Sequence, residues 1–284
     1  MIILKRTHIK LAFSPYSLCE KMTEMISIGK IKKNLQTKRV GRRIYCYKVV
    51  SSTNNVAKKL AEENASEGTV VVAEEQTSGR GRLDRKWFSP KGGLWFSIIL
   101  KPEVKTVDAS KIVFAVSLAV ANTLRKNFNL KAEVKWPNDV LVNGKKICGI
   151  LTESVTSDKS LKYVVVGVGL NSNISVKEIP RNLRESTTTL KEELEREVEL
   201  ESLLCKLLFQ IEQEYTTFLN KGFADILKRW KRIASFLGKR VEVVEAGKKY
   251  DGVAQDVDEE GLLVVRLTEG TVKKFTVGDI KVRL

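Results

Sequence analysis

Histidine is all but absent from this 284-residue chain: His8 is its only example and lies near the start. A Ser-His-Asp or Cys-His nucleophile system, or a histidine metal cluster, has nothing to be built from. Cysteine is sparse and scattered, at Cys19, Cys46, Cys148 and Cys205. With no Cys-x-x-Cys spacing, neither a disulfide framework nor a zinc site is expected. Long apolar runs are missing too. The longest, residues 112–124, is bounded by Lys111 and Arg125 and is too short to cross a bilayer. The first eight residues hold no apolar core of signal-peptide length. These absences predict a cytoplasmic protein with no membrane association. Its chemistry falls to Lys, Arg, Asp, Asn and backbone dipoles.

Positive charge, by contrast, is plentiful. The net charge of +16 points towards nucleic acid, but its distribution does not. Residues 1–48 hold twelve Lys and Arg against two Glu, so +10 of the +16 lies there and +6 is left for the rest. A length of 284 residues allows about two domains. Residues 1–43 read as a basic arm, with a helical turn or two around 17–25 and a cationic run over 28–43.

Within the body, residues 79–97 stand out. They read Gly-Arg-Gly-Arg-Leu-Asp-Arg-Lys-Trp-Phe-Ser-Pro-Lys-Gly-Gly-Leu-Trp-Phe-Ser. The flanking runs 69–76 and 94–100 are β-branched and aromatic enough to be strands. A long loop that leaves and re-enters a sheet therefore carries Arg80, Arg82, Arg85, Lys86 and Lys91. Glycine lets backbone N–H groups approach an anion and arginine forks onto two oxygens, which suits phosphate. Trp87 offers a flat apolar lid for a ring. Long unstructured loops in compact domains are usually functional or disordered, which weighs against a merely solvated basic loop.

Other segments fall around it. Ser52-Thr53-Asn54 precedes Val56, Ala57, Leu60 and Ala61 at helical spacing. Ser52 or Thr53 suits a helix N-cap, and the same hydroxyls with the first-turn N–H groups suit a polar ligand; the residues alone do not choose. Lys135-Trp136-Pro137-Asn138-Asp139 leads into an apolar run, then Asn143-Gly144, then Lys145-Lys146-Ile147-Cys148-Gly149. Asn-Gly between apolar alternating runs predicts a hairpin, its first strand opened by the Pro-Asn-Asp kink. Lys135, Asp139 and Lys146 then stand on rigid strand ends, a placement that suits a site; solvated lysines on an exposed hairpin are the alternative. Gly149 in mid-strand, and Gly167 and Gly169 ahead of Asn171, predict close approaches to the backbone. Residues 109–127 read as a helix apolar on nearly all faces, and 199–219 and 222–235 as core-packing helices. After Gly238 the texture changes to five short strands with Gly and Asp turns, a small barrel.

Together these segments resemble the biotin–protein ligases (the biotin–acetyl-CoA-carboxylase ligase family) from about Ile44 to the C-terminus. The matching blocks are Ser52-Thr53-Asn54, Gln76, and Gly79-Arg80-Gly81-Arg82 with Arg85-Lys86-Trp87, Ser89-Pro90 and Gly92-Gly93-Leu94. Lys135-Trp136-Pro137-Asn138-Asp139, Lys146, and Gly167-Val168-Gly169-Leu170-Asn171 complete them. The resemblance implies an α+β fold: a mixed, mainly antiparallel sheet packed with helices, like the class II aminoacyl-tRNA synthetase core, followed by a small C-terminal β-barrel. Residues 1–43 would be a basic N-terminal arm or an incomplete N-terminal module, 44–236 the catalytic biotin- and ATP-binding domain, and 237–284 the barrel.

It also implies a reaction. Biotin's carboxylate attacks the α-phosphate of ATP to give biotinyl-5'-AMP and pyrophosphate, and a lysine of a biotin carboxyl carrier protein then attacks the acyl carbon. Clustered cations offset the repulsion between the two anions. By resemblance, Arg80, Gly81 and Arg82 belong to the loop that covers the adenylate, and Lys146 serves both carboxylate and α-phosphate. Ser52, Thr53, Asn54 and Gln76 hold biotin's ureido head. Trp87 lies against adenine, with Asn138 and Asn171 on the nucleotide side. Asp139 orients or deprotonates the acceptor lysine, with Lys135 beside it. Mg²⁺ accompanies the triphosphate, held by phosphates and water with no side-chain ligand assigned. Family members often form homodimers.

The nearest rival, a lipoate–protein ligase, is similar in fold and shares the Asn-Asp…Lys-x-x-Gly pattern. The Gly-Arg-Gly-Arg…Ser-Pro-x-Gly-Gly block and the small C-terminal β-domain favour biotin. A basic nucleic-acid-binding regulator would instead bind DNA through residues 1–48 in a salt-dependent way. Longer family members carry an N-terminal winged helix-turn-helix; the residues before 44 are too few for one, so no specific DNA binding is expected.

Overall fold

The computed structural model describes residues 26–158 and 160–283; the helical turn expected around 17–25 lies outside them. The body is one seven-stranded sheet. Its strands are β1 (Ile44–Val50), β2 (Val70–Gln76), β3 (Leu94–Leu100), β4 (Ala132–Lys135), β5 (Asp139–Val142), β6 (Lys145–Ser157) and β7 (Ser160–Leu170). Their spatial order is β1-β2-β3-β7-β6-β5-β4. Only β1 and β2 run parallel; every other neighbour is antiparallel.

Side chains alternate across a strand, and that period decides what each face does. Val70 and Val72, Phe96 and Ile98, Val164, Val166 and Val168, and Cys148 and Ile150 all enter one large apolar core. It is filled from above by α3 (Ile112–Phe128), α5 (Leu200–Lys221) and α6 (Phe223–Lys231). The intervening residues Val71, Ile99 and Val165 face the other way, onto α2 (Thr53–Glu62) through Ala57 and Ala61. Farther along the same strands, that second face carries Ser97, Gly149, Glu153, Gly167 and Gly169 in place of apolar side chains. The sheet is thus covered on one side and left open at one end of the other. The mixed, antiparallel-rich sheet packed with helices is the architecture anticipated from the sequence.

The C-terminal unit is a second antiparallel sheet of β8 (Arg240–Glu245), β9 (Lys248–Val257), β10 (Leu263–Leu267), β11 (Val272–Phe275) and β12 (Asp279–Val282). Its order is β11-β10-β9-β8-β12, and no hydrogen-bonded pairing closes β11 onto β12 among the described residues. Val241, Val243, Ala254 and Phe275 join the same apolar core as the body. Trp136, 1% exposed, fastens the two by donating from its indole nitrogen to Gly261 O at 3.0 Å.

Three local readings change. Part of the stretch read as a basic arm is built into the body. There α1 (Ile28–Asn34) buries Ile31 completely, Val40 is 2% exposed, and Glu212 on α5 accepts from the backbone N–H groups of Lys38, Arg39 and Val40 at 2.7–2.8 Å. Isolated apolar residues among lysines hid this anchorage. The hairpin at Asn143-Gly144 exists, with both residues at positive φ as a tight primed turn requires, but β4 pairs back onto β5 ahead of it and makes a three-stranded meander. The glycine–arginine loop is itself a short hairpin, closed by an Arg80–Lys86 bridge and by Gly81 N–H on Arg85 O at 2.7 Å.

Candidate active site

The open end of the sheet is the floor of a cavity of about 330 Å³, and every residue given a role above lines it. Register explains the floor. Gly149 on β6 stands opposite Gly169 on β7, Leu151 opposite Gly167, and Gly167 in turn opposite Ser97 on β3. The glycines are filled from above by the protein's own side chains. A Cβ at 149 would lie 2.9 Å from Cζ3 of Trp87, one at 169 would lie 2.8 Å from Cε2 of the same ring, and one at 167 would lie 2.9 Å from Cγ of Asn54. Trp87 therefore lies flat on paired strands, with Lys146 Nζ 4.9 Å from its ring centroid and its indole N–H buried without a partner.

One wall is a polar chain. Gln76 Oε1 accepts from Thr53 N–H at 2.8 Å and from the Thr53 hydroxyl at 3.1 Å, while its amide donates to Ser89 Oγ at 2.9 Å. Ser97 donates to Asn54 Oδ1 at 2.6 Å and touches Thr53 Oγ1 at 2.7 Å. Asn54 Nδ2 goes on to Glu153 at 2.7 Å. Ser52 holds the N-cap position of α2 but makes no side-chain capping bond, and the N–H of Thr53, the first helical residue, is taken by Gln76. Of the two readings of the Ser-Thr-Asn block, capping by the Ser52 hydroxyl is thereby set aside.

The opposite wall is charged. Lys146 Nζ pairs with Asp139 Oδ1 at 2.6 Å, and Arg80 pairs with Glu153 at 2.8 Å. Arg85 pairs with Asp279 of β12, so the C-terminal sheet reaches the site. Arg82 has neutral partners only, Asn138 Oδ1 at 3.4 Å and Gly278 O at 3.2 Å. Burial pushes the Arg82 guanidinium down, against the support of Asp279 and Asp139. Burial likewise lowers the Lys135 ammonium, with Lys146 adding to the effect and Asp139 and Asp279 opposing it. Two partly uncompensated cations thus face the cavity.

Some expected contacts have another use. Asn138 donates its amide to Ile150 O at 2.7 Å and Asn171 donates to Thr188 O at 3.1 Å, so both side-chain amides are engaged by backbone carbonyls. Asn171 so pins the strap that precedes α4 (Leu190–Leu194), and that strap brings Ile174, Ile179 and Leu183 over the cavity as an apolar wall. Sequence reasoning missed this wall, and also Ser97, Glu153 and Asp279. Ser97 was findable as the one polar residue in an otherwise apolar strand. Asp279 had no local mark at all.

The chain matches two family models: "Biotin/lipoate A/B protein ligase family" over residues 46–171 and "Biotin protein ligase C terminal domain" over 236–283. The bifunctional ligase/repressor BirA of Bacillus subtilis is 32% identical over 257 residues, covering 90% of this chain and 79% of its own length. The biotin–[acetyl-CoA-carboxylase] ligase of Paracoccus denitrificans is 31% identical over 220 residues, 76% of this chain and 90% of that one. A solved structure of biotin protein ligase from Aquifex aeolicus in complex with biotin and ATP superposes with a TM-score of 0.73 at 31% identity. It covers 85% of this chain and 99% of that one.

Proposed function

The chain belongs to the biotin/lipoate A/B protein ligase family, and we infer from that membership that it is an ATP-dependent biotin–protein ligase. It activates biotin as biotinyl-5'-AMP and transfers it to a lysine of a biotin carboxyl carrier domain. The observation that carries this reading within the cavity is the meeting of a neutral hydrogen-bonding wall with cations from three separate elements.

We assign the roles as follows. Thr53, Asn54 and Gln76, with Ser52, take biotin's ureido group, exchanging hydrogen bonds now made among themselves. The carboxylate then points at Lys146, and the α-phosphate sits between Lys146, Lys135 and Arg82. Attack by a carboxylate oxygen forms the acyl–phosphate bond and expels pyrophosphate. Both reactants are anions, so buried cations lower the barrier by offsetting their repulsion and the charge that builds on the phosphate. Burial strengthens them here, because the lowered Arg82 and Lys135 gain most from an arriving anion. Trp87 faces adenine, and Arg80, Gly81 and Arg82 belong to the covering loop that keeps water from the adenylate. In the second step the acceptor amine attacks the acyl carbon, AMP leaves, and the amine proton passes to Asp139, the carboxylate fixed beside Lys146.

Among the described residues no three His, Cys, Asp or Glu gather as a metal cage. We propose that Mg²⁺ is carried in on the triphosphate and held by its oxygens and water. We place the reaction in the cytoplasm, where ATP is supplied and free thiols such as Cys148 and Cys205 persist. We propose no specific DNA binding, since the basic run over 28–43 is partly engaged in packing on α5, and a homodimer as the assembly to test by sedimentation. Biotin-dependent exchange of labelled pyrophosphate into ATP, repeated with lipoate, tests the central reading. Exchange with biotin and none with lipoate is expected; exchange with neither refutes it.

A further inference from the structure

Glu153 has no part in the roles above, yet three side chains from two elements converge on it. Its Oε2 accepts from Asn54 Nδ2 of α2 at 2.7 Å and from Arg80 of the glycine–arginine loop at 2.8 Å, and its Oε1 accepts from Lys58 Nζ at 2.6 Å. The carboxylate stands on the site face of β6, opposite Val165. Burial works to raise its proton affinity, but the hydrogen bonds from Lys58 and Asn54 and the charges of Lys58 and Arg80 prevail and hold it below the ordinary glutamate range. It is an anion throughout the neutral range.

That anion separates two arginines that look alike in the sequence. Arg82 meets only neutral oxygens, so a phosphate adds to its contacts without displacing a charge. Arg80 already has a carboxylate on its Nη2, while its Nε is buried with no partner. A phosphate that drew Arg80 off Glu153 would break a charge-assisted bond to the same carboxylate oxygen that holds Asn54. The polar wall touches the loop at a second point, where Gln76 binds Ser89 and Ser89 donates to Trp87 O at 3.1 Å. The two arms of the loop hairpin are thus tied to the wall that receives the ureido group, one through Glu153 and one through Ser89.

We propose that Glu153 is a positioning residue that holds Arg80, and with it the outgoing arm of the loop, over the cavity, so that Arg80 acts as a latch and not as a phosphate ligand. This rests on the ligase reading and specifies how the covering loop is kept shut. Protein oxygens fix Arg80; substrate oxygens are met by Arg82, Lys135 and Lys146.

The test uses the full chain carrying Glu153→Gln, Arg80→Gln, or both. Release of preformed biotinyl-adenylate after rapid dilution is measured beside KM for ATP in pyrophosphate exchange. Each single substitution should speed release about tenfold, the lower end for a lost charge-assisted hydrogen bond. The double variant should release no faster than either single one, and KM for ATP should stay within about twofold. A rise in KM for ATP specific to Arg80→Gln, or multiplied release rates in the double variant, overturns the latch. So does a fall in melting temperature with unchanged release. Should Glu153→Gln not fold, Arg80→Gln decides alone by the split between release and KM. Failure of the unsubstituted chain to exchange pyrophosphate would defeat the ligase reading itself, a different outcome from an active chain whose release is indifferent to Glu153.

Discussion

Substituting Gly169 by Ala isolates the cradle under Trp87. The added Cβ would stand 2.8 Å from Cε2 of the ring, where carbon pairs settle at about 3.5–4.0 Å. The floor cannot yield, because β7 lies between β3 and β6 and its other face is packed into the main core. The loop hairpin is braced by its own backbone bonds, so relief comes from lifting the indole by about 1 Å, an overpacking cost of about 1–3 kcal/mol. A shift of that size in a group that positions substrate lowers pyrophosphate exchange by about 10- to 100-fold. The melting temperature should fall with it, by roughly 2–4 °C per kcal/mol in a chain of this size. Quenching by acrylamide reads the displacement directly. Of the four tryptophans, Trp95, Trp136 and Trp230 are 0–1% exposed, so Trp87 dominates the quenchable signal, which should rise. The decisive arm is the pair: in a Trp87→Ala background, Gly169→Ala should cost nothing further. If the two losses multiply, or if Gly169→Ala leaves exchange and quenching alone, the cradle is not what seats Trp87.

The other expectations concern stability, pH and the loop tip. Glu212→Ala strips three backbone N–H groups of their acceptor and should lower stability by about 3 kcal/mol, read as a shifted urea midpoint at unchanged slope. Lys135 is depressed mainly by burial and supported by Asp139, so activity should fall on the alkaline side before an ordinary lysine at about 10.4 titrates. Asp139→Asn should move that limb to lower pH, as measured from a pH series of exchange rates. The stability sign follows: the folded chain loses this proton before the unfolded one does, so the group's contribution to stability rises with pH between the two values and is unfavourable below them. At the loop tip Leu83 and Asp84 hold φ of 53° and 55°, a left-handed pair that costs non-glycine residues about 1–2 kcal/mol each. Asp84→Gly should therefore slow adenylate release by several-fold in the dilution assay.

How far these features were legible depends on whether a residue's role is local. The period-two strands and the apolar helices declare themselves, because burial leaves its pattern within a few neighbouring residues. The glycine–arginine stretch, the Ser-Thr-Asn block and the Asn-Gly hairpin were likewise readable, since turns and close approaches need particular residues at particular steps. What stayed hidden was decided at long range. Glu153 meets Arg80 across 73 positions and Arg82 meets Gly278 across 196. The anchorage of residues 38–40 by Glu212 spans about 172–174, so a stretch rich in lysine and arginine passed for a free arm. Gly149, Gly167 and Gly169 were expected to be approached closely, and they are; their visitors, Trp87 and Asn54, could not be named without the register that stacks β3, β7 and β6.

The charge pattern of the cavity follows from what an empty site must tolerate. Arg80, Arg82, Arg85, Lys86, Lys135 and Lys146 stand around one pocket, and like charges at such range oppose folding unless answered. Three are answered by carboxylates from separate elements: Glu153 on β6, Asp139 on β5 and Asp279 on β12. Among the described residues Arg82, Lys135 and the exposed Lys86 have no such partner, and for Arg82 and Lys135 burial disfavours the protonated form. An arriving phosphate removes that penalty where it is largest and leaves the three existing pairs intact. The carboxylates therefore do more than balance charge. By occupying some cations and not others, they decide which positive groups remain for the substrate, and so where in the pocket the phosphate comes to rest.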